Sequence, residues 1–272
     1  MSPDTPLEWH PMLLDPTGQR LGKPRSSGKT MVIDKGLGIH AFEDMLLAAS
    51  DHIDLVKIGF GTSPLYPQKL LERKIELAKA YDICILPGGT FLEVAVSQGA
   101  IKPYFDMITS LGFDGIEVSD GTIEVERDLR SELIGLGIAH GLRVFTEYGK
   151  KSWGSSIEIE ALVKTVETDR ACGAELITIE GRESGLGVGI FDENGECIEE
   201  EIQQVLSRIA DKQLIMWETP LKLQQVYLLK TLGPEINLGN IAPEDIMSLE
   251  CLRRGLRSDT LHLGQAQLLN KR

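Results

Sequence analysis

The chain has 272 residues, with 28 Lys and Arg against 41 Asp and Glu, and a formal net charge of −13. Such an acidic balance excludes nonspecific nucleic-acid binding, which needs a basic face to neutralise phosphates. Nothing approaches the run of about 18 apolar residues that a membrane span requires, and the start of the chain lacks the apolar core of a secretory signal, so a cytoplasmic protein with no membrane partner is expected.

Residues 1–29 stand apart. Pro3, Pro6, Pro11, Pro16 and Pro24 interrupt them and apolar periodicity is weak, which predicts an arm, extended over the main domain or partly disordered. Eight short β-rich runs follow: 30–36 (TMVIDKG), 53–62 (IDLVKIGFGT), 82–90 (DICILPGGT), 115–121 (GIEVSDG), 143–149 (RVFTEYG), 176–182 (LITIEGR), 214–220 (LIMWETP) and 235–240 (EINLGN). β-Branched and aliphatic residues dominate each run, and nearly every run ends on a charged or amide side chain. Between most of them lies enough chain for a helix, with helical periodicity at 63–80, 124–140, 157–172 and 199–211. This alternation favours a parallel sheet. Eight such units in about 250 residues match a (β/α)8 TIM barrel, whose active site forms at the carboxyl ends of the strands. A doubly wound open sheet is the competing arrangement. No linker or shift in composition divides the chain, so one catalytic domain over residues 30–260 is expected, followed by a tail at 261–272.

Cys84, Cys172, Cys197 and Cys251 form no C-x-x-C pair, and the five histidines show no H-x-H or H-E-x-x-H spacing, which argues against structural zinc and a disulfide framework. Strand parity is the sharper signal, because alternate side chains of a barrel strand face the helices and the interior. Val56, Ile58 and Phe60 share one face and leave Lys57 on the other. The same sorting turns Glu117 and Ser119, Glu147, Glu180 and Arg182, Glu218, and Asn237 inward, and it sets Asp34 against Met31 and Ile33. Five carboxylates (Asp34, Glu117, Glu147, Glu180, Glu218) then face two cations (Lys57, Arg182). Confined like charges must raise their pKa values or recruit a cation. An oxygen-rich set without a His/Cys cluster points to Mg²⁺ or a similarly hard ion. A rim charge or a structural ion pair would account for any one of these residues equally well; it does not account for polar groups aimed inward on seven strands.

Further polar groups sit just past the strand ends: Lys35, Lys150 and Lys151, Thr90 behind Gly88 and Gly89, and Asn240. Backbone amides there, or in the glycine-rich stretch 181–189 (GRESGLGVG), would cradle a phosphate or sulfonate, with Arg182 as a bidentate clamp. The segment 188–198 also reads as a hairpin turning at Asn194 and Gly195, which gives some of those glycines a structural role.

VIDKG, VKIGFGTS, LPGGT, EVSDG, TEYGKK, IEGRESGLGVGIFD, ETP, NLGNI and SLECLRRGLRSDT follow one another across residues 30–260. In this order they resemble the phosphosulfolactate synthases. The resemblance implies a (β/α)8 barrel, a homo-oligomer with a trimer among the forms to expect, that uses Mg²⁺ to add sulfite to phosphoenolpyruvate. Sulfite attacks C3, charge accumulates on the carboxylate as an aci-carboxylate stabilised by the metal, and C2 is protonated, giving (2R)-2-O-phospho-3-sulfolactate.

Position and matched motif together assign Glu147, Glu180 and Glu218 to the metal, with Asp34 as a fourth ligand or supporting base. Lys150 or Lys57 is the proton donor to C2, a role that suits a lysine whose pKa is brought towards neutrality. Lys35, Arg182, Gly88, Gly89 and Thr90 would hold phosphate and sulfite, and Asn237 and Asn240 would orient substrate oxygens. Lys151 is read as the surface neighbour of Lys150, with a swap left open because parity fails beyond the strand end. Thr219 and Gly239 depart from the smaller residue and the alanine common in the family, which bears on pocket shape. The resemblance extends to heat-stress-associated relatives, so a noncatalytic, protein-interacting member is the alternative. A Schiff-base aldolase using Lys57 is a third reading, disfavoured because it leaves the carboxylate excess unexplained.

Overall fold

The computed structural model describes residues 9–263; the first eight residues of the arm and most of the expected tail lie outside the described residues. Eight strands, β1 Thr30–Asp34, β2 Leu55–Ile58, β3 Cys84–Pro87, β4 Gly115–Val118, β5 Arg143–Tyr148, β6 Leu176–Ile179, β7 Ile215–Glu218 and β8 Asn237–Ile241, alternate with helices along the chain. They pair in parallel in the order β3-β2-β1-β8-β7-β6-β5-β4. The eighth seam, between β3 and β4, has no regular ladder. Asp114 N donates to Ile85 O at 3.0 Å, and Ile85 N donates to the Asp114 carboxylate at 3.1 Å. The result is a nearly closed (β/α)8 barrel in one domain, as the alternation predicts, and the open sheet is set aside.

Two apolar layers follow from strand parity. Met31, Leu55, Cys84, Leu86, Phe145, Leu176 and Met216 plug the lower interior. Val32, Val56, Ile58, Ile116, Val144, Ile177, Ile215, Trp217 and Leu238 face outward into the helices. The helix Gln68–Ala80 shows why the outer layer forms: it buries Leu71, Lys74, Ile75 and Ala78, one stripe at helical spacing. The predicted helix at 63–80 begins later than expected. Pro64 and Pro67 confine its first part to a 3₁₀ turn at Ser63–Leu65.

Lys74 interrupts that stripe because it meets Asp34. Its ammonium lies 2.6 Å from Asp34 Oδ2, with neither side chain exposed, and packs over the rings of Tyr66 and Phe42. This corrects the reading of Asp34 as an inward group. Met31 and Ile33 take the inward parity of β1, so Asp34 turns outward, where its Oδ1 also accepts Gly36 N and Leu37 N.

The described part of the arm crosses the amino-terminal face of the barrel. Arg20 pairs with Glu250 at 3.0 Å and Arg25 with Asp54 at 3.0 Å. Lys29 N donates to Asn237 Oδ1, while Asn237 Nδ2 donates to Gln213 O and Ile215 O. Asn237 therefore ties the bottom of β8 to the arm and lies at the wrong end of its strand to orient substrate, which corrects that assignment. No described helix is long and apolar enough to cross a membrane.

Candidate active site

The carboxyl ends of the strands open on a cavity of about 320 Å³, enough for a small substrate. Four buried carboxylates enter it, Glu117 from β4, Glu147 from β5, Glu180 just past β6 and Glu218 from β7, with the exposed Glu183 at its edge. Two ammonium groups face them. Lys57 Nζ, from β2, lies 2.8 Å from Glu218 Oε1, 3.2 Å from Glu117 Oε1 and 3.9 Å from Glu147 Oε2. Lys151 bonds Glu147 and lies 2.9 Å from Glu180 Oε2.

Lys151 reverses the expected order of the lysine pair. β5 ends at Tyr148, and Gly149 takes a φ of 127°, so strand parity does not carry past it. Lys150 turns outward, where its ammonium bonds Asp120 O at 2.7 Å and pairs with Glu124 at 3.4 Å. It does not line the cavity. Lys35 is exposed and does not line it either. Gly88, Gly89, Thr90, Arg182 and Asn240 do.

The β3–β4 seam is bridged at this end by the site itself. Gly89 N donates to Glu117 Oε2 at 2.9 Å. A Cβ on Gly89 would sit 2.6 Å from Ser119 Cβ and 3.1 Å from that same carboxylate oxygen, so glycine is what lets the backbone reach Glu117. On the far side Gly181 N donates to Glu218 Oε2 at 3.0 Å and Arg182 N to Glu180 Oε1 at 2.7 Å.

Glu93, buried on the helix Gly89–Ser97, escaped strand parity altogether. It lies behind the cavity, where Ser119 Oγ stands 2.7 Å from its Oε1 and 2.8 Å from Glu147 Oε1, able to donate to one at a time. Glu93 Oε2 accepts Thr122 N and Ile123 N. Its one sequence signal is an acidic residue amid the apolar positions of that helix.

The expected anion cradle in 181–189 is largely a structural loop. Asp192 Oδ1 accepts Asn194 N and Glu196 N, and Ile198 N donates to Ile190 O, which makes the hairpin turn foreseen at Asn194 and Gly195. Gly189 has a φ of 60°, and a Cβ there would meet Glu180 O at 2.8 Å. Its lack of a side chain serves the chain path under Glu180. Anion-binding capacity falls instead to Arg182 and to Thr90, which follows the Gly88 and Gly89 turn into the cavity.

Electrostatics follow from burial and charge count. Burial disfavours the Lys57 ammonium, but Glu117, Glu218 and Glu147 outweigh it and raise its pKa; for Lys151, Glu147 and Glu180 do the same. Neither lysine is brought towards neutrality. Burial pushes the Glu117 carboxyl up to about 7 against the pull of Lys57, helped by Glu147 and Glu218. Burial opposes ionisation of Glu147 too, yet Lys151 and Lys57 overcome it and hold it below the usual range. Glu180 is raised well above the carboxylate range by burial, then by Glu147 and Glu218.

This set fits a hard divalent cation. Glu117, Glu147 and Glu218 bring one oxygen each within 4.8 Å of one another. Glu180 Oε2 is buried and, though near Lys151, out of line for a hydrogen bond. All donors are oxygens, as Mg²⁺ prefers. Two ammonium groups leave four buried carboxylates under-neutralised, and burial with the charges of Glu147 and Glu218 raises the Glu180 carboxyl accordingly.

The family model described as (2R)-phospho-3-sulfolactate synthase (ComA) matches residues 18–259, so the match takes in part of the arm as well as the barrel. Phosphosulfolactate synthase of Methanothermobacter thermautotrophicus is 40% identical over 247 residues, covering 90% of this chain and 95% of that protein. The Bacillus subtilis phosphosulfolactate synthase is 36% identical, covering 90% and 96%. Protein HEAT-STRESS-ASSOCIATED 32 of Arabidopsis thaliana is 24% identical, covering 85% and 87%. Among solved structures, 3-hexulose-6-phosphate synthase from Salmonella typhimurium superposes with a TM-score of 0.51 at 14% identity, covering 89% of this chain and 99% of that one. The 3-dehydroquinate dehydratase from Aquifex aeolicus does so with a TM-score of 0.52 at 12% identity, covering 82% and 97%. These structural likenesses concern the barrel alone.

Proposed function

The chain belongs to the (2R)-phospho-3-sulfolactate synthase family, and on that premise we propose that this enzyme adds sulfite to phosphoenolpyruvate to form (2R)-2-O-phospho-3-sulfolactate. The observation that carries this reading is the convergence of Glu147, Glu180, Glu218 and Lys151 in one cavity beside Arg182, in a chain 40% identical to a synthase of that name.

Mg²⁺ would be held by Glu147, Glu180 and Glu218, joined by Glu117, and would supply positive charge to the substrate carboxylate as electrons accumulate there. The residues present do the rest. The phosphate is held by Arg182, and sulfite by the Thr90 hydroxyl and backbone amide, the Gly88 and Gly89 amides being engaged by Ile58 O and Glu117. The sulfite sulfur donates its lone pair to C3, and the C2–C3 π pair moves towards C2 and the carboxylate. The Lys151 ammonium then gives a proton to C2, and the phosphate ester stays intact.

Lys151 suits this step better than Lys57. Lys57 is clasped by three carboxylates from β4, β5 and β7 and acts as the fixed countercharge, whereas Lys151 reaches in from a loop and is partly exposed. A raised pKa keeps it protonated until a strong base forms at C2. A homo-oligomeric assembly goes with the family reading, and light scattering on the purified protein tests it. The reaction is tested by following the enol ultraviolet absorbance of phosphoenolpyruvate with sulfite and Mg²⁺: saturation of the double bond predicts a loss that requires all three and the protein.

A further inference from the structure

Phe60, Arg182 and Asn240 line the cavity from just past β2, from the β6 loop and from β8, and all three hold left-handed backbone, with φ of 57°, 58° and 55°. Asparagine tolerates that region. Phenylalanine does so only under strain that glycine or asparagine would avoid. Glycines stand on either side of it, at Gly59 and Gly61, yet the strained position itself carries a large ring. The surrounding backbone fixes it there: Gly59 N donates to Asp34 O, Gly88 N donates to Ile58 O, and a Cβ on Gly88 would sit 2.8 Å from both Phe60 N and Phe60 O. Such strain persists where the side chain is needed.

Among the described residues lining the cavity, Phe60 and Ile33 are the apolar side chains; the others are charged, polar or glycine. Phosphoenolpyruvate is likewise polar except at its C3 methylene. Charged oxygens lose most by facing an apolar wall, and an uncharged carbon loses least. The Gly88, Gly89 and Thr90 turn adjoins Phe60 through Gly88, which brings the sulfite side of the site next to that wall.

We infer that Phe60, together with Ile33, is the specificity-determining wall against which C3 packs, restricting that carbon to two hydrogens. This rests on the sulfite-addition reading above. The wall excludes a homologue of phosphoenolpyruvate carrying a methyl group on C3, although its phosphate and carboxylate are unchanged.

The test compares kcat/KM for phosphoenolpyruvate and for its C3-methyl homologue, each with sulfite and Mg²⁺, in the wild type, Phe60→Gly and Phe60→Asn. Both replacements suit left-handed backbone, so both should melt at or above the wild-type temperature. The wild type is expected to prefer phosphoenolpyruvate by about tenfold or more, and both variants to lose about tenfold of that preference. An unchanged ratio in variants that melt normally, with the wild type turning over phosphoenolpyruvate, overturns this inference alone. Failure of both variants to fold makes Phe60 a structural residue and also overturns it. A wild type without turnover overturns it together with the reaction on which it rests.

Discussion

Lys57 Nζ lies 2.8 Å from Glu218 Oε1, joining β2 to β7 across the mouth of the barrel. The same ammonium reaches Glu117 and Glu147, so it is the hub of the buried charges. Lys57→Met would strand Glu117 and Glu218 and leave Glu147 to Lys151 alone, and breaking a buried pair in this way costs about 3–5 kcal/mol. Urea unfolding without divalent metal should show that loss, and Mg²⁺ should restore more stability to the variant than it adds to the wild type. Equal Mg²⁺ effects on both proteins would argue against a cation site at these carboxylates.

Adjacent lysines have opposite roles. Lys151→Met should lower kcat by about 100-fold or more, the usual scale for a positioned proton donor. Lys150→Met removes an ion pair with Glu124 on the partly exposed rim and should leave kcat within about twofold, since such pairs contribute little. A large loss in the Lys150 variant and none in the Lys151 variant would restore the order expected from sequence.

The Glu117 carboxyl is pushed up to about 7, chiefly by burial, from the ordinary 4.5. The folded state therefore binds this proton more tightly than the unfolded chain does. Its contribution to stability is full below pH 4.5 and is lost as the pH rises towards 7. Glu147 runs the other way. Burial is outweighed by Lys151 and Lys57, its carboxyl is held down, and its contribution is present above the ordinary value and lost on acidification. Comparing wild type with Glu117→Gln by denaturant titration without metal isolates the first effect: between pH 4.5 and 7 the wild type should lose stability relative to the variant. Parallel profiles would show that Glu117 is ionised throughout.

Asp34 and Lys74 test a structural assignment. Both side chains are fully buried outside the barrel interior, so Lys74→Met should destabilise the fold by about 3–5 kcal/mol. Adding Asp34→Asn should recover a large part of that cost by removing the stranded charge. The double variant, once folded, should keep a wild-type pH profile for kcat. A pH profile shifted by Asp34→Asn would instead make Asp34 part of the catalytic machinery.

Strand parity made most of this site legible. Lys57, Glu117, Glu147, Glu180 and Glu218 are charged residues on or just past strands whose opposite faces are β-branched or aliphatic, and a buried core forces that sorting. Parity misled at β1, where Met31 and Ile33 are inward residues and Asp34 finds its cation on a helix. It could not give depth, so Asn237, inward but at the start of β8, was placed at the wrong end. Beyond the strands it has no hold. Gly149 redirects the chain before Lys151, and Glu93 sits on a helix, where only the fold brings it to Ser119. The left-handed backbone at Phe60 carries no sequence signal beyond its flanking glycines.

The most direct measurement of the central claim is mass spectrometry of the product after incubating the protein with phosphoenolpyruvate and sulfite, once with Mg²⁺ and once with excess chelator. The site described here predicts the mass of phosphosulfolactate with Mg²⁺ and its loss with chelator. A folded protein that binds Mg²⁺ yet yields no adduct would contradict sulfite addition as its activity.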